Sequence, residues 1–197
     1  MIFPTIRDEV FERGKVPMTK SAIRDLSIVR LNLSEGDVVY DIGSGTGSIA
    51  LQIAGVSDKI KVYAIEKKAE AVDLIKKNLE KMGFDSIAVI EGEAPEVLSA
   101  IEAPTKAFIG GSGGNLEEIL SCLYRRSPGV HVVMNAISLE TVSEIVALSK
   151  KINLSGLEIE QIAYSRAKEV GTYHMMMAEN PVYIISFGFG EGELDEA

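Results

Sequence analysis

The stretch Asp41-Ile42-Gly43-Ser44-Gly45-Thr46-Gly47 constrains this chain more than any other. It follows the β-branched run Val38, Val39, Tyr40 and Ile42 and opens a helical segment. Alternate glycines between a strand and a helix let a ligand approach the backbone. The helix start adds N–H groups that have no partner inside the helix. The plain alternative is a tight turn that holds nothing. Against it stands Glu66, 19 residues after Gly47 at the end of the next strand-like run. A carboxylate there can accept both hydroxyls of a ribose.

The rest of the pattern alternates strand with helix. Ile60 to Ile65, Ile87 to Ile90, Ala107 to Ile109 and Val130 to Met134 are near-continuous apolar runs, as expected of strands covered on both faces. Between them, Ala69, Val72, Ile75, Leu79 and Met82 keep helical spacing until Gly83. Leu116, Ile119, Leu120 and Leu123 do the same, as do Val142, Ile145, Val146 and Leu148. Before the first strand, Thr19 to Leu31 reads as a helix with Thr19 as N-cap and Ile23, Leu26 and Val29 turned inward. The last third has two strand-like runs, Ile159 to Tyr164 and Pro181 to Phe189, joined by a loop or hairpin over 166–180. The expectation is an α/β fold with a mostly parallel twisted sheet and an antiparallel C-terminal strand. One domain spans 1–197, with an N-terminal helical segment over 1–35 and a frayed acidic tail over 190–197.

Composition narrows the function classes. With 20 Lys plus Arg against 29 Asp plus Glu, the net charge of −9 opposes a general nucleic-acid binder. The single Cys122 rules out an internal disulfide and a Cys-based zinc site, so no metal is expected. The segment from Met1 to Phe11 lacks the apolar core of a signal peptide, and no apolar run is long enough to span a bilayer. The cytoplasm is the expected compartment.

Two ligands compete for the glycine loop. A dinucleotide asks for G-x-G-x-x-G, with its pyrophosphate on the helix start. Here the spacing is G-x-G-x-G, with Asp41 two positions ahead. That form resembles motif I of the S-adenosylmethionine (SAM)-dependent methyltransferases, whose ligand carries an ammonium that an acidic residue favours. Glu91-Gly92-Glu93-Ala94-Pro95 closes the third strand at the same edge of the sheet. The resemblance places adenine near Glu93 and Ala94. The bland reading is a helix start with Pro95 in its first turn, and the two are compatible.

Several segments then match one family in order: Val16-Pro17-Met18-Thr19-Lys20, the glycine loop, Val62 to Glu66, Glu91 to Pro95, Phe108-Ile109-Gly110-Gly111-Ser112-Gly113-Gly114 and Asn180-Pro181-Val182. Together they resemble CbiT, the decarboxylating precorrin methyltransferases of cobalamin biosynthesis. The resemblance implies the Rossmann-like class I SAM-methyltransferase fold and a homotetramer. It implies methyl transfer from SAM to the meso carbon between rings C and D of a precorrin or cobalt-precorrin, with loss of the ring C acetate as carbon dioxide. By carry-over, Thr19, Asp41, Gly43, Ser44, Gly45, Thr46, Gly47, Glu66, Glu93 and Ala94 meet the cofactor. The nucleophile is an electron-rich ring carbon, so the chemistry asks for alignment and exclusion of water more than for a strong base.

The run Gly110-Gly111-Ser112-Gly113 has no Asn/Asp-Pro-Pro-aromatic signature of amino methylation, and its N–H groups suit a substrate carboxylate. A flexible turn is the plain alternative. A polycarboxylate asks for a local positive cluster, for which Lys15, Lys20, Arg24, Arg166 and Lys168 are candidates. Ordinary solvated positions suit Lys15, Lys20 and Arg24 at least as well, while Arg166 and Lys168 lie in the unassigned connection, and Arg166 is the favoured substrate contact. Asn135 ends the fifth strand and faces the same region. His131 reads as structural and His174 as an exposed loop residue. Met175 to Met177 suit a subunit contact or an adaptable lid. The competing functions are an RNA or protein methyltransferase and a non-catalytic SAM-binding subunit.

Overall fold

The computed structural model describes residues 5–190; the tail expected over 190–197 lies outside them from residue 191 onward. Nine strands and five α-helices are β1 (Val38–Ile42), β2 (Lys61–Glu66), β3 (Ile87–Glu91), β4 (Lys106–Ile109), β5 (His131–Ala136), β6 (Leu154–Ile162), β7 (Ser165–Val170), β8 (Tyr173–Ala178) and β9 (Val182–Phe189), with α1 (Ser21–Leu31), α2 (Ser48–Ala54), α3 (Ala69–Met82), α4 (Leu116–Arg126) and α5 (Leu139–Leu148). Seven strands form one sheet in the order β3-β2-β1-β4-β5-β9-β6. β3 to β5 pair in parallel, and β9 runs antiparallel to both its neighbours. The sheet reverses its strand order beside β1, where an α/β sheet opens a crevice at its carboxyl edge.

Strand alternation sorts side chains to two buried layers. Val38, Tyr40 and Ile42 face Leu116, Ile119, Leu120 and Leu123 of α4 and Ile145 of α5. Val39 faces the opposite layer, with Ile23 and Ile28 of α1, Ile49 and Ile53 of α2, and Ile75 of α3. The period of two therefore turns Asp41 toward α2, and it turns Asn135 toward α1. Both side chains enter the site by this route.

Three local expectations are corrected. α1 begins at Ser21 after Lys20, and Thr19 makes no side-chain cap; its carbonyl instead accepts from the Arg24 guanidinium at 2.6 Å. The inward face of α1 is Ile23, Arg24, Ser27, Ile28 and Leu31, while Leu26 and Val29 are 42% and 59% exposed. Two polar residues occupy that buried stripe, so counting apolar positions selects the wrong face. Val146 of α5 likewise points outward, leaving Ile145 and Leu148 buried.

The connection over 166–180 is a hairpin. β7 and β8 pair antiparallel as a separate two-stranded sheet, which places His174 on a strand rather than in a loop. Its exposed apolar residues include Tyr173, Met175, Met176 and Met177. Arg166 ties the hairpin down by donating to Asp8 Oδ2 at 3.2 Å and to Ser21 Oγ at 3.1 Å.

Candidate active site

The turn from β1 to α2 needs its glycines. Gly43, Gly45 and Gly47 have φ of 70°, 60° and 78°, a region that other residues adopt at a cost. Gly43 N–H and Ser44 N–H both donate to the Ile65 carbonyl, at 3.0 and 3.1 Å, which pins the loop to the end of β2. A Cβ on Gly43 would stand 2.6 Å from the Gly111 carbonyl oxygen. The first loop and the loop after β4 thus meet backbone to backbone.

Glu66 ends β2 and is nearly buried. Its Oε2 accepts from Gly45 N–H at 2.9 Å and its Oε1 from Lys68 N–H at 3.0 Å. A carboxylate offers about four lone-pair directions, so acceptor capacity remains on the cavity side. Asp41 is buried beneath α2. Its Oδ2 accepts from Ser44 Oγ–H at 2.6 Å and from Ala50 N–H at 3.1 Å. Its Oδ1, like Thr46 Oγ, is buried without a partner among the described residues. Burial pushes the Asp41 carboxyl up to about 7; the bonds from Ser44 and Ala50 oppose that shift and the Glu66 charge adds to it.

The other wall is the segment Val16 to Lys20. Arg24, fully buried, holds it by donating to the Thr19 carbonyl, to Gln52 Oε1 at 2.6 Å, to Asp8 Oδ1 at 3.2 Å and to the Ile6 carbonyl. Its guanidinium lies over the Phe11 ring at 4.9 Å. Asn78 of α3 completes the clasp, donating to the Glu12 and Thr46 carbonyls at 2.9 and 3.0 Å. Arg24, read from sequence as an ordinary solvated position, is a structural rivet. It is buried because Asp8, itself almost covered, supplies the compensating charge.

At the rim, Lys67 Nζ donates to Glu93 Oε1 at 2.6 Å, and Asn115 Nδ2 donates to the same oxygen at 3.3 Å. A Cβ on Gly113 would lie 3.0 Å from Lys67 Nζ, so the loop after β4 closes against this pair.

These parts enclose a cavity of about 530 Å³. Thr19, Asp41, Gly43, Ser44, Gly45, Thr46, Glu66, Glu93, Ala94, Gly110, Gly111, Ser112 and Gly113 all line it. Gly47 does not; it is the N-cap of α2, and a Cβ there would press on Leu51 at 2.9 Å. Arg166 does not line it either, because Asp8 and Ser21 hold its guanidinium at the foot of the hairpin. Lys67, Ile137 and Tyr164 line the cavity without having been singled out from sequence, and Asn180 and Val182 of the last matching segment line it too. His131 is structural, with Nε2 2.8 Å from the Arg30 carbonyl. Among the described residues, no group of three His, Cys, Asp or Glu could hold a metal ion, and no helix is long and apolar enough to cross a membrane.

Comparison with known proteins agrees with this arrangement. Residues 9–187 match the family model described as precorrin methyltransferase domain. A relative named probable cobalt-precorrin-6B C(15)-methyltransferase (decarboxylating), from Saccharolobus solfataricus, is 39% identical over 190 residues, covering 94% of this chain and 96% of that one. The crystal structure of a precorrin-6y C5,15-methyltransferase from Geobacter metallireducens superposes with a TM-score of 0.88 at 30% identity, over 93% of this chain and 96% of that one. That of a precorrin 8w decarboxylase from Methanobacterium thermoautotrophicum gives 0.86 at 33% identity, over 93% and 99%.

Proposed function

The chain belongs to the precorrin methyltransferase domain family and has the Rossmann-like fold of SAM-dependent methyltransferases, and from that premise we propose that it is a SAM-dependent C-methyltransferase of cobalamin biosynthesis. Its substrate is a precorrin or cobalt-precorrin. It methylates the meso carbon between rings C and D and removes the ring C acetate as carbon dioxide.

One observation carries the cofactor assignment: the loop from Asp41 to Gly47 meets Glu66 at the cavity wall, where the buried Asp41 Oδ1 has no hydrogen-bond partner among the described residues. Bound there, SAM supplies an electrophilic methyl group on sulfur. The residues present fit such a ligand. Asp41 favours its ammonium, the free lone pairs of Glu66 accept the ribose hydroxyls, and Ala94 with the Lys67–Glu93 rim borders the base. Thr19 and its neighbours exclude water from the opposite side. Gly110 to Gly113, with no side chain beyond Ser112, leave room for a flat tetrapyrrole against the loop that touches Gly43. The chain needs no strong base, because the ring carbon is already nucleophilic and the departing carboxylate returns electrons to the methylated, cationic ring. Alignment and dryness are what the fold contributes.

The described chain acts as one catalytic unit in the cytoplasm. The hairpin of β7 and β8, with Met175 to Met177 and Tyr173 at 48–73% exposure, provides the contact for a homotetramer.

The direct test incubates the protein with SAM and the metal-free or cobalt-loaded precorrin and follows product mass. Gain of one methyl, loss of carbon dioxide and release of S-adenosylhomocysteine are expected. A folded, SAM-binding protein that leaves both tetrapyrroles unchanged would refute the assignment.

A further inference from the structure

One neutral hydrogen-bonding group of a residue on the cavity wall is buried without a partner among the described residues: the Asn135 side-chain nitrogen at the end of β5. A buried polar group without a partner is an uncompensated desolvation. It is the mark of a site shaped for a ligand. Its surroundings are chiefly apolar: Ile23 and Ile28 of α1, Phe108, Ile184 and Val182 belong to the same layer.

Asn135 is held from behind by α1. Ser27 Oγ lies 3.1 Å from Asn135 Oδ1 and 2.8 Å from the Ile23 carbonyl. A serine hydroxyl has one proton and cannot serve both acceptors. When it donates to Asn135, the amide is fixed with its NH₂ edge free. When it donates to Ile23, the amide is released to turn over. The pair is therefore a latch, and an anionic ligand selects the first arrangement.

Resting on the function proposed above, the geometry points to Asn135, latched by Ser27, as the positioning site for the ring C acetate that is lost. The guanidinium groups close in sequence to these elements are committed elsewhere, Arg24 and Arg166 to Asp8 and Arg30 to Glu160. A neutral donor suits this task better than a cation. Decarboxylation converts a carboxylate to neutral carbon dioxide, so an ion pair would stabilise the starting state and raise the barrier. An amide orients the carboxylate without neutralising the charge that must leave. The step balances. The sulfonium methyl joins the meso carbon and leaves the ring cationic. The carbon–carbon bond to the carboxylate then breaks, and its electron pair neutralises the ring. The exocyclic carbon takes up a proton while the ring gives one up.

Asn135→Asp and Ser27→Ala test this, with wild type as control on the same precorrin. Asn135→Asp keeps the shape and replaces the donor with a repelling charge; Ser27→Ala removes the latch and leaves the amide in place. The expected result is SAM affinity within about twofold of wild type, a KM for the tetrapyrrole raised roughly tenfold or more, and a product that gains the methyl but keeps its carboxylate. A merely structural role would move SAM affinity and melting temperature and leave the ratio of methylated to decarboxylated product at its wild-type value; that result overturns the inference. So does full decarboxylation by either variant with unchanged KM. Should Asn135→Asp not fold, Ser27→Ala decides by the same product ratio. An inactive wild type would instead refute the parent function.

Discussion

Gly43 and Gly111 meet without side chains: a Cβ on the first would lie 2.6 Å from the carbonyl oxygen of the second, while a Cβ on Gly111 would meet nothing within 4 Å. The two glycines are thus not equivalent. Gly43→Ala must move backbone and also hold φ near 70°. It should lose at least about 2 kcal/mol in urea unfolding, together with cofactor binding. Gly111→Val should stay within about 1 kcal/mol of wild type, bind SAM normally and lose turnover. Loss of SAM affinity in Gly111→Val would place that loop at the cofactor instead.

Asp41 makes stability and binding depend on pH in opposite directions. Its carboxyl rises from 3.8 in the free residue to about 7 in the fold. Below about pH 4 it is protonated folded and unfolded, and no penalty exists. As pH rises to 7 the unfolded chain releases this proton first, so the folded state loses stability, by no more than about 4 kcal/mol. Asp41→Asn should gain on wild type across that window. A cationic ligand restores the charged form, so SAM affinity should weaken below pH 7 by at most about tenfold per unit. Asp41→Asn should bind weakly with a flatter profile, which calorimetry at several pH values would measure.

Glu66 has two tasks, and two variants separate them. Its oxygens hold Gly45 and Lys68 N–H groups. Glu66→Ala should cost about 1–3 kcal/mol of stability and raise the SAM dissociation constant at least tenfold. Glu66→Gln, which keeps one acceptor oxygen, should fall between. A dissociation constant equal to wild type in the alanine variant would contradict the ribose assignment.

Arg24 and Arg166 share Asp8 and differ in burial, and their removal should differ accordingly. Arg24→Met removes the buried donor shared by the Thr19 carbonyl, Gln52 and Asp8, leaves Arg166 as the ion partner of Asp8, and should cost about 3–5 kcal/mol. Arg166, half-exposed in its pair with Asp8, should cost about 1 kcal/mol or less as alanine. The KM for the tetrapyrrole should stay within threefold in Arg166→Ala, since its guanidinium is turned to Asp8 and Ser21.

The hairpin prediction concerns assembly. Met177→Glu places a charge on the strand face shared with Tyr173 and Met175, in the separate two-stranded sheet. Light scattering should report smaller particles, with SAM binding retained.

Much of this was legible in the sequence because it is local. The Asp41–Gly47 loop, the place of Glu66 and the glycine run after β4 are carried by spacing alone, and spacing survives folding. The apolar runs of β1, β2, β4 and β5 gave the parallel sheet by the same logic. What stayed hidden depends on partners far apart in the chain. Arg24 is buried only because Asp8, 16 residues earlier, returns to meet it. Ser27 and Asn135 are 108 residues apart, and neither has a neighbour in sequence that announces the other. The inward face of α1 was misjudged for that reason, since its polar members are satisfied by elements no window can contain. Arg166 reads from sequence as a substrate contact because it lies in an unassigned connection of the kind that shapes a substrate mouth, and its partner Asp8 lies 158 residues away.

Asp8 stands between two guanidinium groups, one clamping the segment at residues 16–20 and the other anchoring the hairpin. A shortened version of the protein that starts beyond residue 8 would therefore release both features at once. Fusion partners for purification are better joined at the carboxyl end, and crystallisation trials with trimmed amino ends should yield molecules whose 16–20 flank and β7–β8 hairpin loosen in concert.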